Sequence, residues 1–151
     1  MKPFLLAATL TLALAAPVGA AVKPGTYAGK TDSDDVISFK VSRTKVSGVS
    51  ARFTTVCANP SNPSDPLLVT LKPKPSVLGV SAKLRTGGRF SYKTDGETAA
   101  QNGLIITTFK GRIAKGKVKG TLRVQFPAST AGYEDYGDCD TGSIAFTARR
   151  K

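Results

Sequence analysis

FKGRIAKGKVKGTLRVQF, residues 109–126, reads as two strands around a tight turn. A two-residue turn at Lys115-Gly116 sets Ile113 against Val118, Gly111 against Gly120, Phe109 against Leu122, Thr107 against Val124 and Ile105 against Phe126. That whole face is apolar or small. A slip of one residue would turn it toward solvent, so the hydrophobic pattern itself specifies the register. The facing glycines leave a gap on the inner side, suited to a sharp bend or to the close approach of another chain. Bends of that kind are how a sheet closes into a barrel.

The opposite face is basic. Lys110 lies opposite Thr121, Arg112 opposite Lys119 and Thr108 opposite Arg123, with Lys115 and Lys117 at the turn. Like charges directly opposite each other on a strand pair are unfavourable. Arg112 and Lys119 therefore either splay into water, where screening keeps the cost small, or converge on an anion. Lys110, Arg112, Lys119 and Arg123 are the candidate anion-binding residues, chosen because they share one outward phase. Lys40, Arg43, Lys45 and Arg52 make an earlier strand pair basic too, so charge is not confined to this hairpin.

The same short apolar runs recur between Gly, Pro, Asp and Asn clusters at 25–29, 36–42, 46–56, 67–72, 77–85, 88–93, 104–113, 117–126 and 143–149. Residues 21–151 show no convincing helical period. This pattern predicts a single all-β domain: an antiparallel barrel or closed sandwich of about eight or nine short strands. Lys72 to Ser76, KPKPS, cannot be ladder interior because proline lacks the N–H, and it reads as a connection. CANPSNPSDP, 57–66, is a Pro/Asn/Ser loop leaving directly from Cys57. FKVSRTKVSG from Phe39 echoes the opening hairpin, which two hairpins of similar shape explain more simply than a duplicated half-domain does.

Residues 1–20 read as a signal peptide. Lys2 supplies the positive start, Phe4 to Ala16 an apolar run too short to span a membrane, and Val18-Gly19-Ala20 a small-residue cleavage site. A cut after Ala20 or after Ala21 fits equally well. The expected location is secreted or extracytoplasmic, with no transmembrane segment after cleavage. Two cysteines in an exported chain, Cys57 and Cys139, then read as one structural disulfide.

Composition narrows the chemistry. The formal charge of +12 becomes +11 once Lys2 is removed. A protein this basic attracts polyanions such as nucleic acid, anionic wall polymers or acidic headgroups. The chain has no His. With both cysteines bonded, Ser/His/Asp and Cys/His mechanisms are excluded within one chain. No P-loop, dinucleotide or HExxH motif occurs. The acids gather in TDSDD (Asp32, Asp34, Asp35) and YEDYGDCDTG (Glu134, Asp135, Asp138, Asp140), where ordinary turns are the first reading and a Ca²⁺ site or paired-carboxylate chemistry the second. Phe39, Phe109, Phe126 and Phe146 lie in the apolar phase of their strands. Tyr133 and Tyr136 share a loop with acids that would repel phosphate. With export, this argues against nucleic acid as the natural partner.

GTYAGKT (25–31), VISFKVSRTKVSGV (36–49) followed by Cys57, GGRFSYK (87–93), FKGRIAKGKVKGTLRV (109–124) and CDTGSIAFTARR (139–150) together resemble a set of small exported β-proteins of unassigned function common in actinobacteria. The resembling pattern runs G-x-Y-x-G, V-S-F-x-V-S, C, G-R-F-S, G-T-L-R-V, C-D-[ST]-G and T-A-R-R over nearly the whole chain after residue 20. This sequence departs from it by an added Gly-Lys-Val-Lys in the turn region, by Phe146 at the aromatic position, and by a longer, proline-richer 57–66 loop. The resemblance implies one exported β-domain with one disulfide and brings no catalytic residues.

The expected function is non-catalytic binding outside the cytoplasm, with no cofactor and no metal. The target is an anionic envelope polymer or other polyanion met by Lys110, Arg112, Lys119 and Arg123. One alternative is a small molecule held inside a lipocalin-like barrel. Another is protein interaction or inhibition through the 57–66 loop.

Overall fold

Type I′ turns need a left-handed backbone at both central residues, which suits the twist of the flanking strands. In the computed structural model, Lys115 (φ 49°) and Gly116 (φ 73°) adopt that conformation. Around them β8 (Ile106–Ala114) and β9 (Lys117–Phe126) pair antiparallel. Ile113 faces Val118, Gly111 faces Gly120, Phe109 faces Leu122 and Thr107 faces Val124, as the apolar pattern requires. Ile105 is buried but lies one residue outside the strand. The structure describes residues 22–62, 64–94, 105–128, 130 and 137–151. Residues 1–20, expected to be a signal peptide, and Glu134, Asp135, Tyr133 and Tyr136 lie outside the described residues.

The remaining strands are β1 (Gly25–Thr31), β2 (Val36–Val41), β3 (Lys45–Ala51), β4 (Phe53–Cys57), β5 (Leu67–Leu71), β6 (Ser81–Arg85), β7 (Arg89–Lys93), β10 (Cys139–Asp140) and β11 (Ile144–Arg150). The order β11-β1-β2-β3-β6-β7-β8-β9, with β9 also pairing β11, closes an antiparallel barrel of eight strands. All-β architecture and a closed barrel are thus the observed fold. β9 is long enough to serve two partners on one side: Lys117 to Leu122 pair with β11, while Gln125 and Phe126 pair with β10. From β10 the sheet continues outside the barrel as β4 and then β5.

Two segments differ from the sequence expectation. The run 46–56 is not one strand. It breaks at Arg52, whose N–H donates to the Val36 carbonyl at 2.9 Å, so β3 stays in the barrel while β4 departs to pair with β10. The run 77–85 begins in a helical turn, α1 (Pro75–Leu78), which Pro75 opens and Gly79 closes in the left-handed conformation. Leu78 is buried by that turn.

Eight strands leave an interior just wide enough for side chains, and here rings occupy it. Phe109 lies 5.5 Å from Phe39, 5.1 Å from Phe90 and 5.3 Å from Phe146, between ring centroids. Tyr27 stacks on Phe39 at 5.9 Å. The gap expected beside the facing glycines is filled. A Cβ on Gly111 would come within 2.7 Å of the Phe90 ring, and one on Gly120 within 2.6 Å of the Phe146 ring. The absent side chains make room for two aromatic rings leaning in from the neighbouring strands.

Cys57 and Cys139 form the disulfide. They face each other across β4 and β10, so the bridge fastens the outer sheet to the short strand beside β9.

Candidate functional site

In a strand, alternate residues point to opposite faces, so once Phe90, Phe109 and Leu122 enter the core their neighbours must face water. Closing the barrel aligns those outward neighbours across strands. Arg85 faces Arg89, Arg89 faces Arg112 and Arg112 faces Lys119. Four consecutive strands, β6 to β9, thus place a cation in the same transverse row. Beyond Lys119 the row continues through Thr147 on β11 to Lys30 on β1. The adjacent row carries Ser91, Lys110 and Thr121.

Between the two rows runs an open groove of about 710 Å³. Its walls are Arg85, Arg89, Arg112 and Lys119 on one side and Ser91, Lys110 and Thr121 on the other. Phe90, Gly111 and Gly120 form its floor. A second depression of about 510 Å³ shares Lys119 and Gly120 and carries the groove toward Lys30 and Thr147. Neighbouring strands are spaced by about 4.8 Å, so the four cations cover roughly 14 Å across the sheet. Among the described residues, none of Arg85, Arg89, Lys110, Arg112 and Lys119 forms an ion pair.

The structure brings together Lys110, Arg112 and Lys119 of the expected site, and separates Arg123 from them. Arg112 leans toward the Thr86–Gly88 turn before β7, where its Nε donates to the Gly87 carbonyl at 3.2 Å. It and Lys119 thus splay, yet both line the one groove. Arg123 is committed elsewhere, its guanidinium forming a forked ion pair with Asp140 through Nε and Nη2. Arg85 and Arg89 were missing from the expected set. The signal for them was the outward phase of KLRTGGRF, with Phe90 inward and a TGG turn between the two arginines.

The described acids mostly hold loops. The Asp32 carboxylate accepts from the Ala145 N–H at 3.3 Å, Asp34 pairs with Lys30 at 3.0 Å, and the Asp138 carboxylate accepts from the Ala128 N–H at 2.7 Å. No group of three His, Cys, Asp or Glu suited to a metal ion occurs among the described residues. The 57–66 loop is wound on Asn59, whose Oδ1 accepts from the N–H groups of Ser61 and Asn62.

Hydrogen bonding from Arg123 holds the Asp140 carboxyl below the usual carboxylate range. Partial burial opposes this, and the Gly142 N–H, the Arg123 charge and Gln125 reinforce it. A carboxyl whose folded pKa is depressed adds stability above its unfolded pKa and loses it as pH falls through the folded value. Wild type is therefore expected to lose stability below about pH 4, where unfolded carboxyls protonate. Asp140→Asn should flatten that acid limb, read as urea midpoints between neutral and acid pH. The effect should be small because both side chains are substantially exposed.

Fold and site together define a closed, aromatic-filled β-barrel with a cation-lined groove on its outer wall. No family model, curated protein or solved structure matches the chain. Among the described residues no helix is long and apolar enough to cross a membrane. The disulfide is compatible with an extracytoplasmic protein.

Proposed function

We propose that this protein is a secreted, non-catalytic binding domain for a linear polyanion, of the kind found in anionic envelope polymers, and that the polymer lies across strands β6 to β9 in the outer groove. One observation carries this reading: three successive cross-strand pairs set cation against cation, and the four cations have no described acidic partner. Each such pair costs stability in the unliganded fold. Phosphates or carboxylates along one chain would relieve all three at once, with guanidinium groups able to grip each anion through two hydrogen bonds.

Recognition of this kind reads charge density rather than rings. Tyr27, Phe39, Phe53, Phe90, Phe109, Phe126 and Phe146 are buried, and Tyr92 packs against the core. No described aromatic side chain is left outside as a stacking platform for bases or sugars. Tyr27, Phe39, Phe90, Phe109 and Phe146 occupy the barrel interior, so we place the ligand on the outer wall rather than inside.

The test is elution from heparin and from immobilised wall polymer across a salt gradient. Replacing Arg85, Arg89, Arg112 and Lys119 together by Ala should lower the slope of log affinity against log salt by about 3 to 4, by analogy with phosphate contacts on nucleic acid. A control replaces Lys40, Arg43, Lys45 and Lys83, exposed cations outside the groove that include one facing pair, Lys45 and Lys83. If both variants elute at the same salt, net charge alone drives binding and the groove is not the site.

A further inference from the structure

The sheet ends at β5, and an edge strand presents a row of unpaired N–H and C=O groups that templates another strand. Among the described residues β5 pairs with β4 only. Natural edges are usually blunted by lysines, prolines, bulges or a covering loop. β5, LLVTL, carries no charge and no proline, in a chain with 22 Lys and Arg. On its outer face Leu68 is 76% exposed, opposite Val56 at 49%. The strand is bracketed by exposed charges of opposite sign, Asp65 and Lys72.

We propose that two copies of this chain pair antiparallel through β5, forming one continuous sheet across a two-fold axis at Val69. Antiparallel pairing brings the acidic end of each strand to the basic end of the other, Asp65 near Lys72 of the second copy. The sequence fixes the register. Leu67 meets Leu71 of the second copy and Leu68 meets Thr70, so all five residues pair. A slip of one residue sets inward side chains against outward ones. A slip of two brings Pro66 or Pro73 opposite a strand residue, where proline has no N–H to donate. The edge lies beyond β10 and β4 in the sheet order, away from the cation row, so the two basic grooves need not face each other.

Sedimentation equilibrium from about 1 µM to about 1 mM at physiological salt tests this. The wild-type protein should pass from monomer to dimer, and Leu68→Lys with Thr70→Lys should weaken self-association at least tenfold. Both side chains are exposed, so the barrel should survive the change, and near-ultraviolet circular dichroism checks that it does. Mixing Leu68→Cys protein with Thr70→Cys protein should give a disulfide-linked heterodimer faster than either gives a homodimer. Amide protection over 67–71 should rise with concentration. A wild-type protein still monomeric at the highest concentration would overturn the proposal, leaving the edge to some other extended peptide. A dimer untouched by the lysine variant would overturn it by placing the interface elsewhere.

Discussion

Replacing both cysteines, as Cys57→Ser with Cys139→Ser, is expected to lower folding stability by up to about 4.5 kcal/mol, the loop-entropy figure for a bridge closing a separation of 82 residues. For a chain of this size that is roughly 15 °C in melting temperature. The structure also says where the loss falls. β10 has two residues, and among the described residues it is the only strand that pairs β4 to the barrel. What else ties the outer sheet down is a few flanking backbone hydrogen bonds, Arg52 to Val36 and Ala58 to Asp138 among them, and packing such as Phe53 against Phe126 at 6.1 Å. Without the bridge, β4 and β5 should open first. Amide exchange should rise over 53–57 and 67–71 while β7, β8 and β9 keep their protection. Thermal melts with and without reductant give the size, and exchange gives the place. A loss below about 1 kcal/mol would show that the outer sheet stands without the bridge, and a uniform loss of protection would show that it does not open ahead of the barrel.

The opening hairpin was legible because everything that determines it is local. The turn residues, the alternation and the one-residue slip penalty all lie within 105–126, and the observed register follows from them. The row of four cations was half legible. Arg112 and Lys119 face each other across that hairpin, but Arg85 and Arg89 join them only through the pairing of β7 with β8, whose connecting segment includes residues with no strand signal. Arg123 shows the opposite error. Its outward phase put it among the candidate anion-binding residues, yet it meets Asp140, brought beside β9 by a two-residue strand too short to produce a periodic pattern. The departure of β4 at Arg52 was hidden for a related reason. Alternation continues almost unbroken through the bend, and what changes is the partner strand, which no local pattern reports.

The cation row sits directly above close packing in the barrel, so groove and core constrain each other. Outward, Arg112 and Lys119 face across β8 and β9. One residue along each strand and inward, Gly111 faces Gly120 between the rings of Phe90 and Phe146. The glycines let backbone and rings approach closely enough to form a shallow floor between two walls of side chains. A larger residue there would push the strands or rings apart, and with them the spacing of the cations.

Gly120→Ala is accordingly expected to cost about 3 kcal/mol or more, at the upper end for overpacking a filled interior. The new Cβ would fall 2.3 Å from the Lys110 carbonyl oxygen and 2.6 Å from the Phe146 ring. The ring can turn aside but the carbonyl cannot, because it belongs to the paired strand β8. Trimming Phe146 to Leu in the same chain should therefore recover only part of the loss. Gly48→Ala separates this cause from the ordinary cost of replacing glycine. Gly48 sits at φ 62° with open space around its Cβ direction, so its penalty is backbone strain alone, about 1 to 2 kcal/mol. Urea denaturation of the three variants reads the difference. If Gly120→Ala costs no more than Gly48→Ala, the strands beneath the groove have room to spare, and close packing cannot be what holds the cations in register.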